Sequence, residues 1–302
     1  MKTYLVTGGA GFIGSHLVKS LLEKGHKVRV LDDFSNSDRS QVPAGVELFE
    51  GSLTDFEVVQ KAVAGTEGIF HLGAEVSVPK SLKNPAGTLE VNARGTLLLL
   101  EAMKSHNVKR LVYSSTSAVY GDQGDAVHAE DLSPRPMSPY AYSKLTGEYF
   151  IKSYSHLYDF NTVIFRYFNV YGSGQSPDSP YAAVIPILLD KIKNNQPFTI
   201  FGDGLQCRDF VSVSDVVRAN QLAIESDLKG EILNIGSGQS VTLLELIQIL
   251  EKISGKKVEV THKDAREGDI KLSTANVEKA KKLLGFEAAT NLEDGLKSIS
   301  GF

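Results

Sequence analysis

A doubly wound parallel α/β sheet is the fold class this 302-residue chain predicts. Short runs of β-formers alternate with segments whose apolar residues recur at helical spacing. A glycine-rich turn separates the first run from the first helical segment, and acidic residues close the second run.

Taken in order, Thr3-Tyr4-Leu5-Val6-Thr7 is apolar and rich in β-formers, and residues 12–24 keep a helical apolar period until Gly25, a C-terminal stop. Between them lies Gly8-Gly9-Ala10-Gly11-Phe12-Ile13-Gly14. Gly9, Gly11 and Gly14 fit Gly-x-Gly-x-x-Gly, and Gly8, Gly11 and Gly14 fit the looser three-residue spacing. Either way, the missing Cβ atoms let backbone amides approach a pyrophosphate at a helix N-terminus. The second run, Lys27-Val28-Arg29-Val30-Leu31, ends in Asp32, the acidic residue expected roughly 20 positions on to bind a ribose diol. Asp33 follows with no adjacent arginine, so a 2′-phosphate would meet repulsion and NAD is favoured over NADP.

Further strands are expected near residues 46–49, 68–72, 110–114 and 162–166, with helices between them, including long ones over 85–105 and 139–157. After Tyr171 the run Gly172-Ser173-Gly174-Gln175-Ser176-Pro177-Asp178-Ser179-Pro180 is built of turn formers, and shorter elements follow. The expected division is therefore a dinucleotide-binding domain over 1–170 and a smaller α/β lobe over 171–302, with the segment around 209–236 free to return to the first domain.

With 42% hydrophobic and 23% charged residues the chain can bury a full core, and its net charge of −4 is spread over interspersed signs. Nothing there resembles a nucleic-acid footprint or a basic membrane-binding face. One cysteine, Cys207, excludes an internal disulfide and reads as an inert thiol. The first strand starts at Thr3 with no room for a signal sequence, and no apolar run approaches the roughly 18 residues of a membrane span. A cytoplasmic protein is expected. His16 and His71 read as packing or helix-surface residues, since nothing pairs them into a metal site or a triad.

Tyr140-Ala141-Tyr142-Ser143-Lys144 adds chemistry. A spacing of four stacks the phenol and the ammonium on one helix face, where the positive charge is expected to lower the phenol pKa. Such a phenol can take a proton from an alcohol while a nicotinamide takes the hydride. Tyr142 points to another face of the helix and reads as a packing residue.

Taken together, these motifs resemble the extended short-chain dehydrogenase/reductase family, and within it the nucleotide-sugar 4-epimerases, over essentially the whole chain. The resemblance rests on the glycine turn, Asp32, His71-Leu72-Gly73-Ala74, Asn92, Ser114-Ser115-Thr116-Ser117-Ala118-Val119-Tyr120-Gly121, and Tyr140 with Lys144. It continues through Arg166-Tyr167-Phe168-Asn169, Phe201-Gly202-Asp203-Gly204, Arg208-Asp209-Phe210, Asn234-Ile235-Gly236-Ser237-Gly238 and Arg266-Glu267-Gly268-Asp269. It implies a Rossmann-type first domain holding NAD through Gly8, Gly11, Phe12, Ile13, Gly14, Asp32, Leu72, Ala74, Asn92, Tyr140 and Lys144. Asn92 is expected as structural support, with an ordinary helix-surface amide as the alternative. Thr116 stands at the family's catalytic hydroxyl position, beside Tyr140 and Lys144; the other reading of Thr116 is a strand-end side chain satisfying a backbone group.

The resemblance also implies substrate contacts. Arg208 and Arg266 match positions that grip the two phosphates of a nucleoside diphosphate. Asn169 matches a position at the diphosphate or sugar, and Asp269 one near the uridine ribose. Ser273, four residues beyond Asp269, matches a position where a small side chain goes with tolerance of a 2-acetamido group. Related dehydratases carry an aspartate and a glutamate after the threonine, where this chain has Ser117 and Ala118, so elimination is disfavoured. The implied activity is NAD-dependent 4-epimerisation of a UDP-hexose through a 4-keto intermediate. Nucleotide-sugar dehydratase, reductase (or simple dehydrogenase) or decarboxylase chemistry of the same family, and a non-catalytic NAD sensor, are the alternatives. Family members commonly pair the helices corresponding to 85–105 and 139–157 in a homodimer, for which Leu97 to Leu100 would supply apolar surface. Two departures stand out: Ser52 where an aspartate usually meets the adenine, and Glu267 where a proline is usual.

Overall fold

The computed structural model describes residues 1–175, 183–265 and 270–302. The chain opens with β1 (Thr3–Thr7), α1 (Phe12–Glu23), β2 (Lys27–Asp32), β3 (Glu47–Glu50), α2 (Phe56–Val63) and β4 (Gly68–His71). There follow α3 (Val78–Lys83), α4 (Pro85–Leu89), a π-helical turn at Glu90–Arg94, α5 (Gly95–Ser105), β5 (Arg110–Thr116), α6 (Pro139–Tyr158) and β6 (Asn161–Tyr167). The remaining elements are β7 (Asn169–Tyr171), α7 (Val184–Lys193), β8 (Phe198–Phe201), β9 (Cys207–Ser212), α8 (Val213–Glu225) and β10 (Glu231–Ile235). The chain ends through β11 (Ser240–Thr242), α9 (Leu243–Ser254), β12 (Val260–Lys263), β13 (Leu272–Ser273), α10 (Glu278–Leu284) and α11 (Leu292–Ser300).

Seven strands pair in the order β10-β6-β5-β4-β1-β2-β3, every pairing parallel. The continuous apolar run of β1 follows from burial on both sheet faces. Tyr4 and Val6 point into a core shared with Leu17 and Leu21 of α1 and Val216 of α8, whereas Leu5 packs with Val59 of α2 and Leu99 of α5. From β1 the strand order runs outward in both directions, which opens a crevice at the carboxyl ends of β1 and β4, where an open α/β sheet binds ligands.

The second lobe has its own core, in which Ile185 and Leu188 of α7, Leu246 and Leu250 of α9 and Leu296 of α11 close around Phe210. Its strands form one sheet in the order β11-β9-β13, with β7 also on β9, and a two-stranded sheet of β12 and β8. Between these pieces the chain returns to the first lobe: α8 covers its core and β10 pairs with β6 at its edge.

Three local features differ from the sequence expectations. The helix expected over 85–105 is interrupted by the π-helical turn, which carries a buried Asn92 whose side chain is drawn into hydrogen bonds with Glu75 and Ser143. Leu99 and Leu100 turn fully into the core, so they offer no outward apolar surface. Tyr142 does lie on another face of its helix, but it is 57% exposed rather than packed.

Candidate active site

The crevice is a cleft of about 570 Å³ whose wall includes Gly8, Gly11, Phe12, Ile13, Gly14, Asp32, Leu72, Ala74, Tyr140, Lys144 and Asn169. Its floor is the glycine turn. A Cβ on Gly14 would sit 2.1 Å from the Gly8 carbonyl oxygen, so only glycine lets the helix start this close to the strand end. Helix α1 begins at Gly11 with no side-chain cap, which leaves its N-terminal amides to a ligand. Asp32 accepts from the amides of Ala10 (3.0 Å) and Phe34 (3.0 Å) and from Ser37 Oγ (2.8 Å), and these bonds set its carboxylate at the cleft wall.

Ser138 caps helix α6 by accepting from the Ala141 amide at 3.2 Å, and Pro139 starts the helix with the φ it already holds. Tyr140 thereby falls in the first turn and Lys144 one turn later. Gly147 brings this helix hard against β5, since a Cβ there would lie 2.3 Å from Tyr113 Oη. Lys144 is buried, with Nζ 4.2 Å from the centroid of the Tyr113 ring. Burial lowers its pKa to about 7, against the pull of Glu148 in the other direction. The Tyr140 pKa is not lowered, as its spacing from Lys144 suggests it would be. Burial raises its pKa, and the opposing influence is a hydrogen bond with Thr116 rather than the lysine charge. The physical reason is that burial penalises the phenolate, while the Lys144 ammonium lies over the Tyr113 ring.

Thr116 ends β5, half-buried and within hydrogen-bond reach of Tyr140, a residue of the cleft wall. Its Oγ1 accepts from the Ala118 amide at 3.2 Å, the backbone-satisfying role, and the hydroxyl proton remains to be donated. Asn92 lies behind the wall. Its Oδ1 accepts from the Glu75 amide at 2.7 Å, and its Nδ2 donates to Glu75 O and to Ser143 Oγ at 2.9 Å each. It clamps the segment after β4 to α6 and does not itself reach the cofactor space.

Several contributors escaped the sequence reading. His71 is buried between Thr7 and Thr96, and burial lowers its pKa to about 3, so the ring is neutral. Thr96 donates to Asn92 O at 2.6 Å and therefore accepts from His71 Nε2, while Thr7 donates to Nδ1. This relay ties β1, β4 and the π-helical turn together. His16 likewise bridges, with Nε2 2.9 Å from Ser173 O. Glu148 and Arg166 form a buried ion pair beneath Lys144. The available signal was position: Glu148 lies four residues beyond Lys144 and eight beyond Tyr140, on the same helix face.

On the substrate side, Asn169 Nδ2 donates to Asp209 O at 2.8 Å. Arg208 is half-buried and donates through Nη1 to Cys207 O (2.9 Å) and Ile270 O (2.6 Å). Asp209 is sealed by the amides of Ser237 (2.7 Å), Gly238 (3.0 Å) and Ala275 (3.1 Å). Ser273 is buried on β13, paired directly beside Arg208. Arg266 and Asp269 lie outside the described residues.

Residues 4–236 match the NAD dependent epimerase/dehydratase family. The chain belongs to that family. It is therefore an NAD-dependent enzyme, and its glycine turn, uncapped helix start and Asp32 fit that cofactor. Its backbone superposes on the UDP-glucose 4-epimerase of Thermotoga maritima, solved with UDP-glucose, with a TM-score of 0.95 and 37% identity over 99% of this chain and 97% of that one. A UDP-N-acetylglucosamine 4-epimerase from Methanobrevibacter ruminantium, in complex with UDP-N-acetylmuramic acid, gives 0.94 and 34% over 99% and 97%. A UDP-glucuronate 4-epimerase of Thermodesulfobacterium geofontis is 34% identical over 98% of this chain and 94% of its own length.

Proposed function

We propose that the protein interconverts the C4 epimers of a UDP-hexose, through a 4-keto sugar formed and reduced at one site. The observation that carries this reading is the convergence of Thr116, Tyr140 and Lys144 at the carboxyl end of β5, with Ser117 and Ala118 in the turn that follows. Bound NAD supplies a hydride acceptor that returns the hydride after the sugar has turned over. Tyr140 takes the proton from the C4 hydroxyl and gives it back, Thr116 bridges the sugar oxygen and the phenol, and Lys144 supplies positive charge beside them. Neutral side chains at Ser117 and Ala118 cannot deliver or remove a proton for elimination, which favours epimerisation over dehydration. Arg208 and Asn169 are assigned to the diphosphate side of the substrate, as are Arg266 and Asp269 from their sequence positions.

Ser273 is assigned to the sugar pocket, where a small side chain admits a 2-acetamido group; its place on the strand beside Arg208 supports this. The test is an assay of the purified protein, with co-purifying NAD identified by mass spectrometry, against a panel of UDP-sugars. Epimerisation without added oxidant is expected, with UDP-GlcNAc or UDP-GalNAc turned over at least comparably to UDP-glucose, and Ser273→Tyr should remove the N-acetylated activity selectively. Net NADH accumulation, or a 4-keto-6-deoxy sugar as main product, would sink the reading. An equal effect of Ser273→Tyr on both substrate types would remove Ser273 from the pocket.

A further inference from the structure

Beneath the site, Glu148 of α6 and Arg166 of β6 make an ion pair at 2.7 Å with side chains 1% and 2% exposed. A second contact joins Arg166 Nε to Glu148 Oε1 at 3.1 Å, and Ser115 Oγ donates to the same oxygen. Ser115 and Arg166 are register partners across β5 and β6, and Ser115 precedes Thr116. The carboxylate is thus fixed from three elements within one residue of the catalytic hydroxyl and one helical turn of Lys144. Stability alone is a poor reason for such a pair. Desolvating two charges offsets most of their attraction, and Arg166 Nη1 is left without a hydrogen-bond partner.

We propose that Glu148, held by Arg166 and Ser115, is a positioning residue that keeps Lys144 charged as the ammonium, one helical turn from Tyr140. This rests on the reading of Tyr140 and Lys144 given above. Among the described residues, Lys144 Nζ has no hydrogen-bond partner and meets the face of Tyr113. The titratable groups around it are His71 of β4, Tyr113 of β5, and Tyr140 and Glu148 of α6, with Arg166 of β6 behind Glu148. His71 and Tyr113 are neutral, being buried groups pushed down and up respectively. Glu148 is therefore the anion that acts on the lysine, one helical turn away, and Arg166 is paired to that carboxylate. Loss of the carboxylate charge would leave Lys144 to burial alone, and the ammonium would give up its proton at lower pH.

The experiment is an NMR titration of protein labelled with ¹³C at lysine Cε and loaded with NAD, the Lys144 resonance being identified by its loss in Lys144→Met. In Glu148→Gln the Lys144 midpoint should fall by about one pH unit or more, and the alkaline limb of kcat should move down with it. Glu148→Gln strands the Arg166 charge and can fail to fold, so Glu148→Gln/Arg166→Met, which removes both charges, is the second variant and should show the same fall. An unmoved Lys144 midpoint in either folded variant would reduce Glu148 to a structural tie. Tyr140→Phe, assayed in parallel, separates the two readings. An inactive Tyr140→Phe with an unmoved midpoint overturns the role of Glu148 alone, whereas an active Tyr140→Phe overturns both.

Discussion

At Tyr140 one oxygen carries the proposed chemistry. Tyr140→Phe keeps the ring and removes that oxygen, so turnover should fall by about two orders of magnitude or more while UDP binding is retained, as kinetics and calorimetry on the same sample would show. Lys144 exposes the opposition between stability and function. Burial makes the folded protein hold the lysine proton more weakly than the unfolded chain, whose lysine titrates near its ordinary value of 10.5. The resulting penalty on folding is therefore full below about pH 7 and fades as pH rises toward the unfolded value. Lys144→Met should raise stability by a few kcal/mol at about pH 6, by less in alkaline buffer, and abolish turnover. Denaturation curves with the same gain at both pH values would contradict that account.

Between helices α4 and α5, the π-helical turn is where an element departs from its sequence pattern. Apolar spacing over 85–105 reads as one helix, and nothing local requires a break. What selects the wider turn is a set of long-range hydrogen bonds, in which Asn92 meets Glu75 across 17 residues and Ser143 across 51. Asn92→Ala would leave the Glu75 amide and carbonyl buried without these partners and should destabilise the protein by about 1–3 kcal/mol. Because Glu75 lines the cofactor cleft, NAD retention on gel filtration should fall as well. Loss of stability with NAD fully retained would limit Asn92 to a purely structural clamp.

At the scale of the whole molecule, we propose that the protein is a homodimer through α6 and the helices preceding α5. Support comes from exposed apolar side chains gathered there: Leu82, Leu89, Tyr142, Tyr149 and Leu157, with Tyr142 and Tyr149 two turns apart on one face. Of the run Leu97 to Leu100 expected to supply this surface, Leu99 and Leu100 are buried and Leu97 and Leu98 only half-buried, so the exposed side chains take its place. Light scattering at micromolar concentration should give a dimer mass, and Tyr142→Arg/Tyr149→Arg should give a monomer that still folds. A monomeric parent protein would contradict this. No helix among the described residues is long and apolar enough to cross a membrane.

The parts of this protein legible in its sequence are those encoded locally. The period of the strands and helices, the glycine turn closing on Asp32, and the four-residue step from Tyr140 to Lys144 all depend on neighbours within a few turns, where geometry follows from residue type. The tertiary structure decided what depends on distant partners. It brought β10 back beside β6, opened the turn around Asn92, and aligned Thr7, His71 and Thr96 into one relay. It also set the charge at the site. Sequence spacing places an ammonium beside a phenol, but burial lowers the ammonium's pKa and raises the phenol's, and burial is a property of the packed chain.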